Sequence, residues 1–137
     1  MTYLVKAVLS IAVLPFLALM PALAEVVTFS AGPAYGGASV ANNGGQVTCR
    51  IYNNGTPAKL SLRRIFANTN VTVPQNGGNS CTGTLAPRTY CAYSHIITGN
   101  LAFTCTITAE ANRASIVGVA EIRNEDGEIV TVVPFSR

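Results

Sequence analysis

Apolar and polar residues alternate in several short stretches of the chain, and Gly, Asn and Pro separate these stretches. The clearest stretch is VTCRIY at 47–52, in which every second residue is apolar. The same period of two recurs at 59–66, with a slip near Arg63 and Arg64, and at 101–110. A period of two is typical of strands that bury one face, so these stretches predict β-structure.

The pattern as a whole predicts an all-β fold, an antiparallel β-sandwich of about seven or eight short strands. We expect strands at 26–29, 47–52, 59–66, 70–73, 90–97, 101–110, 114–123 and 128–135. Segments 31–46 and 75–80 are rich in Gly and Asn and indicate loops, with a weak strand near Ser39-Val40. Residues 109–115 indicate a turn, and Asn124-Glu125-Asp126-Gly127 indicates a hairpin. The expected core consists of Val47, Cys49, Ile51, Leu60, Leu62, Phe103, Cys105, Ile107, Val117, Val119 and Val130.

Residues 1–24 have the features of a cleaved secretory signal peptide. Lys6 supplies a positive charge, residues 7–20 are apolar, and Ala22-Leu23-Ala24 has the small-x-small form that signal peptidase accepts. The apolar run is short for a bilayer span, which needs about 20 residues. We therefore expect export to the periplasm or the extracellular space, one domain at 25–137, and no membrane span after cleavage.

Four cysteines remain after this cleavage, at positions 49, 81, 91 and 105. In an exported chain they predict two disulfides, and a zinc cluster is disfavoured because the spacing contains no close pair of ligands. Three pairings are possible. We favour Cys49–Cys105 as a bridge between distant strands and Cys81–Cys91 as a local link.

The segment from Cys49 to Cys91 resembles bacterial immunoglobulin-like modules of the ASPM/SPD-2/Hydin-like type. Those modules often have a strand that ends in an Asn-x-Gly turn, which is Asn53-Asn54-Gly55-Thr56 here. They later have a Cys–Leu-x-Pro-Gly–Cys segment, and the chain has CTGTLAPRTYC at 81–91, with Arg88 where Gly is usual. The resemblance implies an immunoglobulin-like sandwich of the kind used as a spacer or a binding surface, and it assigns no catalytic residue.

Charge and residue type narrow the chemistry further. Charged residues make up 11% of the chain and the net charge is +3, which is too small an excess to indicate nucleic-acid binding. His95 is the only histidine, and we expect it to be a strand residue with a local hydrogen bond, because a catalytic triad needs three convergent groups. We expect no enzymatic activity and no cofactor.

The acidic residues near the last hairpin raise the alternative of a calcium site. This cluster consists of Glu121, Glu125, Asp126 and Glu128. Calcium needs six to eight oxygen ligands, and the cluster lacks the spacing of a calcium loop. We therefore expect a solvated turn here and no metal site.

A modest basic cluster is the best candidate for binding. If the strand at 47–52 pairs with the strand at 59–63 across the Asn-Gly turn, their outward residues share one face. That predicted binding face consists of Arg50, Tyr52, Lys59, Arg63 and Arg64. We expect the protein to be a non-enzymatic structural or interaction module of the cell envelope or extracellular space, with another envelope protein as its partner. The alternative is a protein that binds an anionic polysaccharide, a lipid headgroup or a small ligand through this face. Arg and Lys side chains that merely cover apolar surface would give the same pattern without any partner.

Overall fold

A computed structural model describes residues 24–36, 45–68, 71–99 and 101–136, and all of its regular structure is β except one 3₁₀ turn at Arg113–Ser115. The strands are β1 (Glu25–Tyr35), β2 (Gln46–Asn53), β3 (Ala58–Ala67), β4 (Val71–Val73), β5 (Gly78–Asn79), β6 (Thr84–Leu85), β7 (Thr89–Ile96), β8 (Ala102–Ala111), β9 (Ile116–Arg123) and β10 (Ile129–Pro134). The signal peptide at 1–24, apart from Ala24, and the weak strand at Ser39-Val40 lie outside the described residues. None of the described residues forms a helix with the length and hydropathy that a bilayer span requires.

The strands form two antiparallel sheets that pack as a sandwich. Sheet A has the order β1-β8-β3-β4, with β6 also paired to β3, and sheet B has the order β10-β9-β2-β7-β5. The predicted sandwich is therefore confirmed. Strands β1, β2, β3, β7, β8, β9 and β10 have six residues or more, and the short β5 and β6 form where neighbouring strands supply their hydrogen bonds.

Both predicted disulfides are present, and they reinforce different parts of the sandwich. Cys49–Cys105 joins β2 to β8 and so links sheet B to sheet A through the core. Cys81–Cys91 attaches the loop before β6 to β7. All four cysteines are buried, and the cross-links restrict the unfolded chain more than the folded one.

Most of the residues that we expected in the core are buried, and β9 contains two of the four that are not. Seven expected core residues are buried: Val47, Cys49, Ile51, Leu60, Phe103, Cys105 and Ile107. In β9, however, Ile116, Ala120 and Ile122 are buried, while Val117 is 46% exposed and Val119 is only half-buried. The strand is apolar on both sides, so its alternation does not show which side packs inward. The two expected residues lie on the outer side.

Two irregular positions account for the other errors. The pairing of β3 with β8 shifts between Leu60 and Leu62, which leaves Leu62 38% exposed beside the solvent-facing Thr108. The pairing of β10 with β9 shifts between Ile129 and Thr131, which leaves Val130 50% exposed. An extra residue in one strand of a pair reverses the sides of the residues that follow it.

The two sheets also meet along one edge, where β1 lies beside the end of the chain. Ser30 and Ser136 exchange backbone hydrogen bonds, and the Thr131 hydroxyl donates to the Tyr35 carbonyl at 2.7 Å. We refer to this contact as the β1–β10 seam. It covers part of two strand edges that would otherwise face solvent.

The strand order differs from that of an immunoglobulin constant domain at two positions. In those domains the disulfide joins the second strand to the sixth. The first strand is the outer neighbour of the second, and the seventh strand is the outer neighbour of the sixth. Here the disulfide joins β2 and β8, but β1 pairs with β8 and β9 pairs with β2. The first strand and the strand after β8 have thus exchanged sheets, so the immunoglobulin-like assignment stays a prediction.

Candidate functional site

The predicted binding face is divided between the two sheets. Arg50 and Tyr52 lie on β2 in sheet B, and Lys59 and Arg64 lie on the outer side of β3 in sheet A. The condition for a shared face, that β2 and β3 pair across the Asn-Gly turn, is therefore not met. The cause is Asn53, which is fully buried and donates from Nδ2 to the carbonyl oxygens of Thr56 and Leu85 at 2.8 and 3.0 Å. These bonds direct the chain from one sheet to the other.

Arg63 lies on neither outer face. After the irregularity in β3 it pairs with Ile107, whose side chain is in the core, and its guanidinium donates to the carbonyl oxygen of Cys81. It also lies near Tyr93, whose hydroxyl donates to the Thr106 carbonyl at 2.7 Å. Burial raises the pKa of Tyr93 strongly, and Arg63 and this hydrogen bond offset only part of the effect. Arg63 thus has a structural role at the edge of the core.

More than half of the exposed large apolar side chains gather on the outer face of sheet B. Of the eleven large apolar side chains that are exposed among the described residues, six lie here. They are Tyr52, Tyr90, Ile96, Val117, Ile129 and Val132. Tyr52 lies between Val117 and Tyr90 in directly opposed positions of β9, β2 and β7, and Pro134 of β10 lies opposite Val119 of β9. Exposed apolar side chains that gather on one face are a feature of interaction sites.

An ion cluster occupies the middle of this surface. Glu121 is 6% exposed although it is on an outer face, because two arginines cover it. Arg50 Nε donates to Glu121 Oε2 at 3.2 Å, and Arg123 Nε donates to Glu121 Oε1. Arg123 also donates to the Gly127 carbonyl at 2.8 Å, which ties the cluster to the hairpin after β9. Burial alone would raise the pKa of Glu121, but the hydrogen bonds from Arg123 and Arg50 outweigh it and hold that pKa below its usual range.

The chain matches no protein-family model, no curated protein and no solved structure. The candidate site therefore rests on geometry and chemistry. We define the sheet B surface as the six exposed apolar side chains named above together with Val119, Pro134, Arg50, Glu121 and Arg123.

The outer face of sheet A differs in character. Its central strand presents Thr104, Thr106 and Thr108, and Thr108 shares a hydrogen bond of 2.9 Å with the Thr28 hydroxyl. Lys59 lies opposite Glu110 near one end of this face. Hydroxyl and charged groups that are scattered in this way are typical of a solvated face, so the two outer surfaces are not equivalent.

The groups considered for catalysis or metal binding lie apart in the fold. His95 Nδ1 lies 2.8 Å from the Pro74 carbonyl oxygen, and its ring lies 6.1 Å from that of Phe103. Glu121 is occupied by arginines, while Glu125 and Asp126 are exposed in the hairpin. Among the described residues, no three His, Cys, Asp or Glu side chains form a metal-binding group, and no pocket opens between the sheets or on their surface.

Sequence reasoning missed most of the sheet B surface. Val117 and Val119 were assigned to the core, and Ile129 and Val132 were not singled out. The available signal was that β9 and β10 are apolar at consecutive positions, as in IVGV at 116–119 and IVTVV at 129–133. A strand that is apolar on both sides buries one side in its own core and leaves the other exposed where no further layer of the fold covers it.

Proposed function

We propose that the protein is an exported, non-enzymatic interaction module that binds another protein of the cell envelope or extracellular space through the sheet B surface. The observation that carries this proposal is the concentration of exposed apolar side chains on one outer face around an ion cluster of one covered glutamate and two arginines. Interface centres are enriched in Tyr and Arg and depleted in Lys, Asp and Glu. The sheet B surface has two tyrosines, two arginines, one covered glutamate and no lysine.

The framework behind this surface suits a binding module. Cys49–Cys105 fixes its central strand to the opposite sheet, so the side chains on β2 are held in place before any partner arrives. The two disulfides also support export, because such bonds persist in oxidising compartments. We also propose that the sandwich is of the immunoglobulin-like kind, because sandwiches of that kind serve as spacers and binding surfaces.

A site-specific photocrosslinking experiment tests this proposal in the cells that make the protein. Tyr90, which is 70% exposed on the sheet B surface, is replaced by p-benzoylphenylalanine. Val26, which is 74% exposed on β1 of sheet A, receives the same replacement as a matched control. We expect a discrete protein adduct from position 90 and none from position 26. Equal adducts from both positions, or adducts from position 26 alone, would contradict the proposed surface.

A second candidate function is the binding of an anionic polysaccharide, a lipid headgroup or a small anionic ligand. It is favoured by the adjacency of Tyr52 and Tyr90 beside Arg50, because tyrosine rings stack on sugars and the guanidinium binds carboxylates. The division of the basic residues weakens it, since Lys59 and Arg64 are on the other sheet and Arg63 points inward. Retention on immobilised polygalacturonate that is lost in Arg50→Gln but kept in Arg64→Gln would support it.

A further inference from the structure

Arg50 lies at the centre of the sheet B surface. It is on β2, the middle strand of sheet B, directly between Val119 of β9 and Ala92 of β7. The side chain of Ala92 is too short to cover a neighbouring guanidinium, and the Arg50 side chain is 42% exposed. A partner that binds the sheet B surface therefore meets Arg50 in the middle of the contact, where the residues that dominate binding usually lie.

Most of the hydrogen-bonding capacity of Arg50 is unused. Its Nε donates to Glu121 Oε2 at 3.2 Å, and within the described part of the chain neither of its Nη atoms makes a hydrogen bond or an ion pair. Arg123 is held more fully, because its Nε donates to Glu121 and its Nη1 donates to the Gly127 carbonyl. The two Nη groups of Arg50, which form a planar fork of N–H donors, are therefore open to a ligand.

The charge of the ion cluster is also unbalanced. The carboxylate of Glu121 faces the guanidinium groups of both Arg50 and Arg123, so the cluster carries one surplus positive charge. A partner that covers this surface excludes water from the Nη groups of Arg50. A guanidinium that loses water without gaining an acceptor weakens binding. The partner therefore has to supply an acceptor at this point, and a negatively charged acceptor matches the surplus.

We propose that the partner protein places the carboxylate of an Asp or Glu side chain against the Nη groups of Arg50, with apolar side chains of the partner around it. This inference rests on the proposed function, because it names the group that the sheet B surface recognises. The planar fork binds a carboxylate through two parallel hydrogen bonds, which also fixes the orientation of the partner. A positive charge at the same point is repelled, so Arg50 determines which proteins bind.

The residues around Arg50 favour a protein as the source of the carboxylate. Val119 and Pro134 continue the row of Arg50 across β9 and β10, and Val132, which is 50% exposed, lies in the next row. Apolar side chains of a protein can pack against these three residues. The sugar rings of an acidic polysaccharide would instead bring hydroxyl groups that lose water against valine and proline without gaining a hydrogen bond.

Photocrosslinking from position 90 tests the role of Arg50, because Tyr90 lies in the row next to it. The yield of the protein adduct is measured with Arg50→Gln, Arg123→Gln or Arg64→Gln added, at equal amounts of folded protein. Arg123→Gln removes the same charge and also one hydrogen bond to Glu121, but it keeps the Nη groups of Arg50. Arg64 lies on sheet A and is the control for a charge elsewhere.

We expect Arg50→Gln to lower the adduct yield by about tenfold or more. Arg123→Gln should lower it less, and Arg64→Gln should leave it unchanged. An adduct yield that does not fall in Arg50→Gln would overturn the inference. Equal losses in Arg50→Gln and Arg123→Gln would also overturn it, because they would show a response to net charge rather than to the Nη groups.

A charge swap tests the direct contact with a carboxylate. Mass spectrometry of the adduct identifies the partner and the segment that is crosslinked, and each Asp or Glu of that segment is replaced by Arg in cells that carry Arg50→Glu. We expect one such pair to restore the adduct that Arg50→Glu alone loses. Failure of every pair would overturn the inference, and so would Arg50-dependent retention on polygalacturonate without any protein adduct.

Failure of this inference is distinguishable from failure of the proposed function. The absence of any adduct from position 90 in the otherwise unchanged protein would contradict both. An adduct whose yield does not depend on Arg50 would contradict the carboxylate contact alone and would retain the sheet B surface.

Discussion

Replacement of Glu121 by Gln removes the charge at the centre of the sheet B surface while keeping its size. Glu121 accepts hydrogen bonds from Arg50 and Arg123, and its side chain is only 7% exposed. Glutamine can accept only one of these bonds well, and it leaves two positive charges close together. A hydrogen bond to a charged group contributes about 1.5–3 kcal/mol. The arginine side chains are 42% and 33% exposed, so water recovers part of the loss, and we expect a net cost of about 2 kcal/mol at pH 7.

The cost should depend on pH in a defined direction. The pKa of Glu121 in the folded protein lies below its ordinary value, so the folded state favours the charged carboxylate more than the unfolded chain does. The stabilisation is therefore fully present above the unfolded pKa of about 4.3 and is lost as the pH falls through the folded pKa. Glutamine does not titrate. The difference in stability between the wild type and Glu121→Gln should shrink as the pH falls below about 4.

Urea denaturation at pH 7 and at pH 3, with the disulfides intact, measures this difference. Glu125→Gln is the control, because Glu125 is exposed in the hairpin. We expect Glu125→Gln to change the free energy of unfolding by less than about 0.5 kcal/mol at either pH. A Glu121→Gln effect that is equal at both pH values, or no larger than that of Glu125→Gln, would refute the reasoning.

Three further substitutions test the framework. Removal of the central disulfide by Cys49→Ala with Cys105→Ala should lower the free energy of unfolding by about 4 kcal/mol, as measured by urea denaturation. The reason is that the bond closes a loop with a sequence separation of 56 and so restricts the unfolded chain. Arg88 has a φ of 57°, a left-handed conformation that glycine adopts more easily than arginine. Arg88→Gly should therefore raise the free energy of unfolding by about 1 kcal/mol and with it the melting temperature. An unchanged or lower melting temperature would contradict the idea of a strained turn. At Gly118 a Cβ would lie 2.7 Å from the Phe135 ring and 2.5 Å from a backbone oxygen of β2. Gly118→Ala should therefore destabilise the protein by about 2 kcal/mol. In a Phe135→Ala background, where only the backbone contact remains, the same change should cost less, as a double-mutant cycle of thermal unfolding would measure.

The sequence was sufficient to predict the sandwich because its central strands alternate cleanly. β2 and β8 each have one apolar side, and the cysteines at 49 and 105 lie on those sides. The alternation and the disulfide therefore indicate the same buried face on each strand. The signal fails where a contact from a distant segment decides the outcome. In β9 the inward position at Gly118 is covered by Phe135, whose amide donates to the Gly118 carbonyl at 2.9 Å. No pattern within β9 contains that information.

The candidate site was harder to predict because it depends on which strands are neighbours. The short turn after β2 suggested a hairpin, but the buried amide of Asn53 sends the chain to the opposite sheet. Arg50 and Tyr52 were correctly placed on an outer face, while the basic residues of β3 belong elsewhere. The partner of Arg50 is Glu121, which is 71 residues away in the chain. Pairings of such separation follow from the sheet order, which alternation alone does not specify.

The β1–β10 seam has a consequence for how the chain is made. β1 pairs with β8, and Ser30 meets Ser136, which is 106 residues further along. β1 therefore has no sheet partner until β8 has left the ribosome or a membrane pore, and its contact with Ser136 forms later still. Contacts of such long range also slow the search for the native pairing. The edge of sheet A at β1 is thus completed late in synthesis or translocation, after β2 and β3 have already emerged.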